Sequence, residues 1–300
     1  MKVDIVFMSF NRKDDVQYNL NKMTSYRGLN KIIWVDNGSK DGVDSVVFDK
    51  EKVLFIPLKE NIGIEATNIG VRHSDADIVI ILDDDSEVDE KAIELTSQRF
   101  ENDDLLGAIA FKIVLPATAE NVTVDWNEGP ATHFWGCGAA VRKSVWEKLG
   151  GYRKELFLYT NEYDFCIRVW NEGYKVIYMP DLVAYHRVSS MNRTSDRLVS
   201  YSIRNNYAFI KTYFEKKYQF KLFFYDRLTW FIRAVLSGAG GAFFKGIRMT
   251  KELQDNLQQY PIQENIQLFY VNNLRLFEPP LKKILRKHKF GLLLKLSKNV

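Results

Sequence analysis

Short apolar runs alternate with amphipathic segments over most of the first 180 residues. The apolar runs predict strands at residues 3–7, 31–35, 53–57, 78–82, 106–114 and 176–179. Unbroken apolar strands separated by helices are typical of a parallel sheet covered on both faces. The pattern therefore predicts an α/β fold with a mostly parallel central sheet. Ligands of such sheets bind at the carboxyl ends of the strands.

Residues at helical spacing and turn residues predict the helices between these strands. Helices are expected at about residues 14–26, 143–149 and 162–172, and another runs from the turn Asn61-Ile62-Gly63 to about residue 73. After His186 the pattern becomes helical, aromatic and basic, at about residues 195–214, 220–236 and 246–257. We place a domain boundary near residue 215, which gives an α/β domain (1–215) and a C-terminal helical appendage (216–300).

Composition excludes several classes of protein. With 46% hydrophobic and 27% charged residues, the chain is globular rather than disordered. The two cysteines, Cys137 and Cys166, are too few for a disulfide framework and indicate free thiols in a reducing compartment. The N-terminal run resembles a core strand rather than a signal peptide, and the longest apolar stretch, residues 228–244, contains Arg233 and three glycines. We expect a cytoplasmic protein.

Charge is distributed unevenly along the chain. Residues 1–185 contain 21 basic and 31 acidic residues, a net charge of −10, whereas residues 186–300 contain 21 basic and 7 acidic residues, a net charge of +14. The whole-chain value of +4 hides this division. Such asymmetry suggests that the C-terminal part contacts a polyanion or an anionic membrane.

Three consecutive carboxylates, Asp83-Asp84-Asp85, follow the predicted strand at residues 78–82. Neighbouring carboxylates repel one another unless a cation balances them, and hard divalent cations prefer oxygen ligands together with substrate phosphates. The triplet therefore indicates a divalent-metal and nucleotide-diphosphate site. The alternative is a solvated acidic turn that caps the next helix.

Asp36 lies at the end of another predicted strand, where its carboxylate could accept hydrogen bonds from a base or a ribose. A turn and helix cap is the alternative interpretation. Glycine-rich phosphate-binding motifs do not occur, since Gly238-Ala239-Gly240-Gly241 follows a predicted helix rather than a strand. Phosphate would then have to be neutralised by a metal ion and basic side chains.

The segment Asn161-Glu162-Tyr163-Asp164 begins a predicted helix, where the helix dipole stabilises ionised carboxylates. A carboxylate there could act as a general base toward a hydroxyl nucleophile, or it could belong to an ordinary N-terminal charge cluster. His186 could complete a metal site with a carboxylate, although a lone histidine is more often structural.

Taken in order, these motifs resemble those of the family 2 glycosyltransferases of the GT-A fold, in particular bacterial polysaccharide and rhamnosyl transferases. The resemblance extends from Val3 to about Tyr207. It is carried by residues 3–12, 33–42, 61–63, 68–70, 82–85, 136–142, 161–168, 173–174 and 180–186. The resemblance implies the GT-A nucleotide-diphospho-sugar transferase fold. It also implies inverting transfer of a hexose or deoxyhexose that depends on Mg²⁺ or Mn²⁺.

The resemblance also implies roles for acidic and histidine side chains. Asp36 matches the residue that holds the base, Asp83 and Asp85 match the D-x-D pair toward ribose and metal, and Asp84 is the residue between them. Glu162 lies where the family has its catalytic aspartate. Asn161 replaces the family's glutamate there, so either Glu162 or Asp164 could be the base. His186 matches a metal-coordinating histidine of some members.

Further residues are expected to contact the substrates. Asn61 and Gly63 are expected to bind the nucleotide sugar, and Arg193 its diphosphate, unless Arg193 is only a solvated helix charge. Trp135 and Gly136 are expected at the acceptor, where Trp135 could stack on a sugar or could instead be a core residue.

The basic, aromatic segments at residues 220–233 and 282–296 predict helices that lie on an anionic membrane. Dimerisation or core packing is the alternative, and no base-reading motif supports nucleic-acid binding. We expect a UDP- or dTDP-sugar donor, a lipid-linked or growing glycan acceptor, and peripheral attachment to the inner face of the cell membrane. The alternative functions are a sugar-1-phosphate nucleotidyltransferase and a non-catalytic nucleotide-sugar-binding protein.

Overall fold

A computed structural model of the chain describes residues 1–118, 120–123, 127–188, 194–254 and 257–273. The chain divides into two compact units, Met1–Asn192 and Arg193–Val300. The boundary predicted near residue 215 lies one helix later than this division, because the helix ending at Tyr213 packs with the helices that follow it.

The N-terminal unit is built around a ten-stranded sheet formed by the described residues. Its strands are β1 (Val3–Ser9), β2 (Leu29–Asp36), β3 (Val53–Pro57), β4 (Ile78–Asp83), β5 (Ser86–Val88), β6 (Leu106–Leu115), β7 (Glu120–Asn121), β8 (Gly129–Pro130), β9 (Ala139–Arg142) and β10 (Lys175–His186). The main path through the sheet runs β3-β2-β1-β4-β9-β6-β10-β5.

The first four strands of that path are parallel, as their apolar runs predicted. The short strand β9 then pairs antiparallel with both β4 and β6, so the sheet as a whole is mixed. Strand β10 is parallel to β6 and antiparallel to β5. Strands β5 and β9 are not among the strands that the apolar runs predicted, and each pairs with longer neighbours.

Strand β10 is longer than the sequence pattern indicated. The predicted strand stopped at Pro180, whereas β10 continues to His186. Its register with β6 shifts between Met179 and Val183, so the proline lies in an irregular part of the ladder. Proline, which has no N–H to donate, is tolerated at such irregularities. The continuation matters because it positions His186.

Helices cover both faces of the sheet. They are α1 (Lys13–Met23), α2 (Glu65–His73), α3 (Lys91–Glu101), α4 (Lys143–Leu149) and α5 (Asn161–Asn171). Alternate residues of β4 enter two separate cores: Ile80 and Leu82 pack with α1 and α3, and Val79 and Ile81 pack with α2, α4 and α5. Burial on both faces explains why the strands are apolar without interruption. Cys137 and Cys166 are buried free thiols.

The C-terminal unit is helical, with α6 (Ser195–Tyr213), α7 (Lys216–Leu236), α8 (Gly240–Gln254) and α9 (Glu264–Asn273). Helix α6 packs against α7 and α8 around a small core that includes Ile203 and Trp230. Gly246 allows a close approach there, because a Cβ atom at this position would lie 2.9 Å from the Cβ of Ile203. Among the described residues, none of the helices combines the length and the apolar character required to cross a bilayer.

Candidate active site

The carboxyl ends of β1, β2 and β4 bring the predicted polar residues to one edge of the sheet. In the parallel register Ser9 is level with Asp36, and Met8 is level with Asp83. Residues far apart in sequence therefore meet at the position where α/β sheets bind their ligands.

Asp36 is held in a fixed orientation. Its carboxylate is almost completely buried and accepts hydrogen bonds from the Ser9 hydroxyl at 3.3 Å and the Ser39 backbone N–H at 3.0 Å. The Ser9 hydroxyl in turn accepts a hydrogen bond from the Trp34 indole N–H at 2.8 Å. This chain of hydrogen bonds orients the carboxylate without neutralising its charge.

The Asn61–Gly63 turn is bound to the loop after β2. The Asn37 side chain donates to the Asn61 side chain and to the Gly63 carbonyl, both at 3.1 Å, and accepts from the Ile62 N–H at 2.9 Å. Gly63 has a φ of +65°, and a Cβ atom there would lie 2.3 Å from the Phe157 carbonyl oxygen. Asn61 and Gly63 thus shape the crevice beside Asp36, and glycine is required for the close approach.

Arg12 neutralises part of the acidic turn. One guanidinium nitrogen, Nη1, lies 2.8 Å from Asp84 Oδ1 and 2.8 Å from Asp85 Oδ2. Burial raises the pKa of Asp84 to about 7, while the positive charge of Arg12 acts in the opposite direction. The arginine bridges the two carboxylates and fixes their relative orientation.

His186 meets the acidic turn through the pairing of β10 with β5. His186 is paired with Ser86 in the antiparallel ladder, and its Nε2 lies 3.1 Å from Asp85 Oδ1. One ligand atom from each of Asp83, Asp85 and His186 lies within 4.8 Å of the other two. Two carboxylate oxygens and an imidazole nitrogen form a donor set that suits a divalent cation such as Mn²⁺. The predicted metal ligands Asp85 and His186 therefore lie close together, and Asp83 lies beside them.

Glu162 lies at the beginning of α5 and faces the same site. A Cβ atom on Gly136 would lie 2.8 Å from Glu162 Oε1 and 3.9 Å from Asp83 Oδ1. The carboxylates of Glu162 and Asp83 therefore both lie close to the Gly136 backbone. Desolvation raises the pKa of Glu162 to about 7, against hydrogen bonds from its own backbone N–H and that of Gly136. The residue as a whole is only partly buried.

Asp164, the second candidate base, occupies a different environment. It is 1% exposed, and its Oδ2 accepts a hydrogen bond from Arg168 at 2.8 Å. Arg168 also donates to the backbone carbonyls of Leu149 and Gly151, at 2.6 and 2.7 Å. The pair connects α5 to the residues at the end of α4.

Aromatic side chains flank Glu162. Trp135 is 39% exposed, and its ring centroid is 5.8 Å from that of His133, which stacks on Tyr163 at 4.1 Å. Trp135 therefore offers an accessible ring near the catalytic candidates and is not a core residue. Arg193, predicted to contact a diphosphate, lies outside the described residues.

Three residues at the site were not predicted to belong to it: Arg12, Asn37 and Arg187. Arg187 donates to Asn19 Oδ1 at 2.9 Å and to Glu87 Oε2 at 3.3 Å, beneath the acidic turn. A positional signal was available for the first two, since both follow closely after the carboxyl ends of predicted strands. Arg187 carried no such signal, because the predicted strand ended at residue 179.

Comparisons with known proteins identify the family and the fold. Residues 4–157, just over half of the chain, match the family model described as Glycosyl transferase family 2. A probable glycosyltransferase of Bacillus subtilis, YdaM, is 23% identical over 214 residues, covering 62% of this chain and 50% of that protein. A dTDP-rhamnosyl transferase of Shigella flexneri, RfbF, is 27% identical over 176 residues, covering 52% of this chain and 60% of that protein. The chain thus spans half to three fifths of the length of these curated relatives.

The fold also has solved counterparts. A mannosyltransferase from Pyrobaculum calidifontis, solved in complex with GDP-Man and Mn²⁺, aligns with a TM-score of 0.60 at 16% identity, covering 99% of this chain and 86% of that one. This likeness confirms the predicted GT-A fold, with its central sheet and C-terminal helices. Together, the fold and the family match show that the chain belongs to glycosyl transferase family 2.

Proposed function

We propose that the protein is an inverting glycosyltransferase that moves a sugar from a nucleotide-diphospho-sugar to a hydroxyl group of an acceptor. The proposal rests on a cation-binding donor set and a carboxylate that lie together at one edge of the sheet. Asp83, Asp85 and His186 provide a cation-binding donor set, and the Glu162 carboxylate faces Asp83 across Gly136.

The donor nucleotide fits the crevice between the ends of β1, β2 and β4. The oriented, charged carboxylate of Asp36 can accept hydrogen bonds from the base, and the Asn61–Gly63 turn forms the adjacent wall. Asp83, the first residue of the acidic turn, would contact the ribose. A UDP- or dTDP-sugar is our expected donor, and a dTDP-rhamnosyl transferase is among the similar proteins.

Asp85 and His186 would hold a divalent cation, Mg²⁺ or Mn²⁺, with Asp83 beside them. The bound cation supplies Lewis-acid stabilisation of the negative charge that develops on the leaving diphosphate. Arg12 leaves Asp85 Oδ1 directed toward His186, because it bonds to the other carboxylate oxygen. Asp84 takes its charge balance from Arg12.

Glu162 acts as the general base in this proposal. The acceptor oxygen forms a bond to the anomeric carbon as the bond from that carbon to the phosphate oxygen breaks. The electron pair of the broken bond leaves with the nucleoside diphosphate, and the hydroxyl proton passes to Glu162. Attack from the face opposite the leaving group inverts the configuration. Asp164 remains a positioning residue, because it is paired with Arg168.

The acceptor approaches past Trp135 and Gly136. The accessible Trp135 ring can stack on a sugar, and the Gly136 backbone leaves room beside Glu162. A lipid-linked or growing cell-surface glycan is the acceptor class that we propose, used at the inner face of the cell membrane.

A donor panel with one active-site variant tests the proposal. The protein is incubated with UDP-, dTDP- and GDP-sugars, acceptors and Mn²⁺, and released nucleoside diphosphate is measured alongside Mn²⁺ binding by electron paramagnetic resonance. Asp85→Asn should lower both turnover and Mn²⁺ affinity, turnover by at least about 100-fold. Asp104→Asn is the control, because that exposed carboxylate precedes the amino end of β6. Release of pyrophosphate instead of nucleoside diphosphate would indicate a nucleotidyltransferase, and unchanged turnover in Asp85→Asn would contradict the cation site.

A further inference from the structure

Helix α7 exposes large apolar side chains along one face. Phe220, Phe224, Leu228, Phe231 and Val235 recur at helical spacing, and their exposed fractions range from 37% for Leu228 to 82% for Phe220. We call these five residues the α7 stripe. Its first and last residues are 15 positions apart, so it runs for about 22 Å along the helix.

The opposite face of α7 already packs within its own unit. Leu222, Thr229, Trp230 and Ala234 are buried there, and Trp230 and Ala234 belong to the core shared with α6 and α8. The α7 stripe is therefore apolar surface in addition to the packed face. A surface helix would ordinarily present polar residues to water on this side, and a contiguous exposed apolar patch marks an interaction surface.

The stripe continues onto α8 through aromatic contacts. The Phe231 ring lies 5.4 Å from that of Phe243, and the Phe243 ring lies 5.6 Å from that of Phe244. Phe244 is 67% exposed. The apolar surface therefore involves two helices whose mutual packing is part of the unit's core.

The charges on these helices are mostly positive, and the acidic residues are Asp226 on α7 and Glu252 on α8. Lys221 lies on the exposed side of α7, and the exposed cations of α8 are Lys245, Arg248 and Lys251. Asp226, the single acidic residue in the α7 sequence, is fully buried and accepts a hydrogen bond from Asn206 at 2.7 Å. Exposed aromatic side chains beside cations match the two layers of an anionic membrane interface, apolar acyl chains and negatively charged phosphates.

We propose that the α7 stripe, with Phe244, docks the protein on the surface of an anionic bilayer. The helix lies in the interface plane, with its phenylalanines among the upper acyl chains and the α8 cations near the lipid phosphates. This inference rests on the C-terminal unit alone and does not depend on the proposed reaction.

Flotation of the 300-residue chain with vesicles tests the proposal. Vesicles of phosphatidylcholine alone are compared with vesicles that also contain phosphatidylglycerol, at low and high salt. The wild type should float with the anionic vesicles, and added salt should weaken its binding. The variant Phe220→Ser/Phe224→Ser/Phe231→Ser should bind at least about tenfold more weakly. Lys245→Gln/Arg248→Gln/Lys251→Gln should lose the preference for anionic lipid.

Matched controls separate the stripe from general hydrophobicity. Val47→Ser/Leu105→Ser removes exposed apolar side chains from the N-terminal unit and should leave flotation unchanged. Circular dichroism melts report folding, and the single variant Phe220→Ser replaces the triple variant if the latter does not fold. The proposal is overturned if the wild type does not float, or if the folded stripe variant floats as the wild type does. It is also overturned if the stripe variant loses a dimer in light scattering while its vesicle binding is unchanged.

Discussion

The acidic residues of the site differ mainly in the groups that their carboxylates contact. Asp36 is held by neutral hydrogen-bond donors, Asp84 and Asp85 share Arg12, and Asp164 is paired with Arg168. Glu162 receives hydrogen bonds from its own backbone N–H and that of Gly136. In the proposed mechanism, Glu162 is the carboxylate of α5 that accepts the proton of the acceptor hydroxyl group.

The pH dependence of turnover should report Glu162. Burial raises its pKa to about 7, so the protonated form, which cannot accept a proton, persists up to neutral pH. We expect kcat/KM to fall about tenfold per pH unit below that pKa and to level off above it. The measurement is kcat/KM from about pH 5 to 9, with circular dichroism to exclude unfolding. A profile that is flat through neutrality would contradict this role.

Gly136 should tolerate no side chain. The added methyl group of Gly136→Ala would lie 2.8 Å from Glu162 Oε1 and displace the carboxylate. We expect kcat to fall by about 10- to 100-fold, since small displacements of a catalytic group are costly, with little change in melting temperature. Gly241→Ala is the control, because a methyl group there enters open space. Full activity in Gly136→Ala would show that the glycine does not set the position of Glu162.

At the scale of elements, α5 presents one acidic residue to the site and uses another for its own attachment. Glu162 faces Gly136, whereas Asp164 and Arg168 connect α5 to the residues at the end of α4. The pairing of β5 with β10 plays the corresponding role for His186. Glu162 and His186 are thus each positioned by contacts between protein residues, without a bound substrate.

Asp164→Asn should test the attachment of α5. The substitution leaves the buried Arg168 guanidinium without its carboxylate partner, so the free energy of unfolding should fall by about 3 kcal/mol. Urea denaturation measures this change, and Asp104→Asn, which removes an exposed carboxylate before the amino end of β6, is the control. Unchanged stability in Asp164→Asn would contradict the attachment, and loss of turnover in the folded variant would indicate that Asp164 is the base.

At the scale of the whole molecule, the strands of the N-terminal unit could be predicted because both faces of the sheet are buried. Apolar runs therefore identified β1 to β4, and turn residues at their carboxyl ends identified Asp36 and Asp83. Strand β9 could not be found this way, since its four residues become a strand only between β4 and β6. The bridging contact of Arg12 likewise depends on chain segments more than 70 residues apart.

The net charge differs in sign between the two parts of the chain. The net −10 part contains the carboxylate-lined edge, and the net +14 part begins at residue 186, close to the division between the units. Local sequence could predict the basic, aromatic character of the C-terminal helices. It could not predict which face of α7 would be exposed, because that depends on packing against α6 and α8. The predicted basic segment at residues 282–296 lies outside the described residues.

The most direct test of the proposed chemistry is Glu162→Gln, which keeps the size of the side chain and removes its ability to accept a proton. Donor binding is followed by the thermal shift that nucleotide sugar and Mn²⁺ produce, and acceptor glycosylation is measured in the same preparation. We expect the thermal shift to equal that of the wild type and kcat to fall by at least about 100-fold. Wild-type turnover in Glu162→Gln would contradict the assignment of Glu162 as the base.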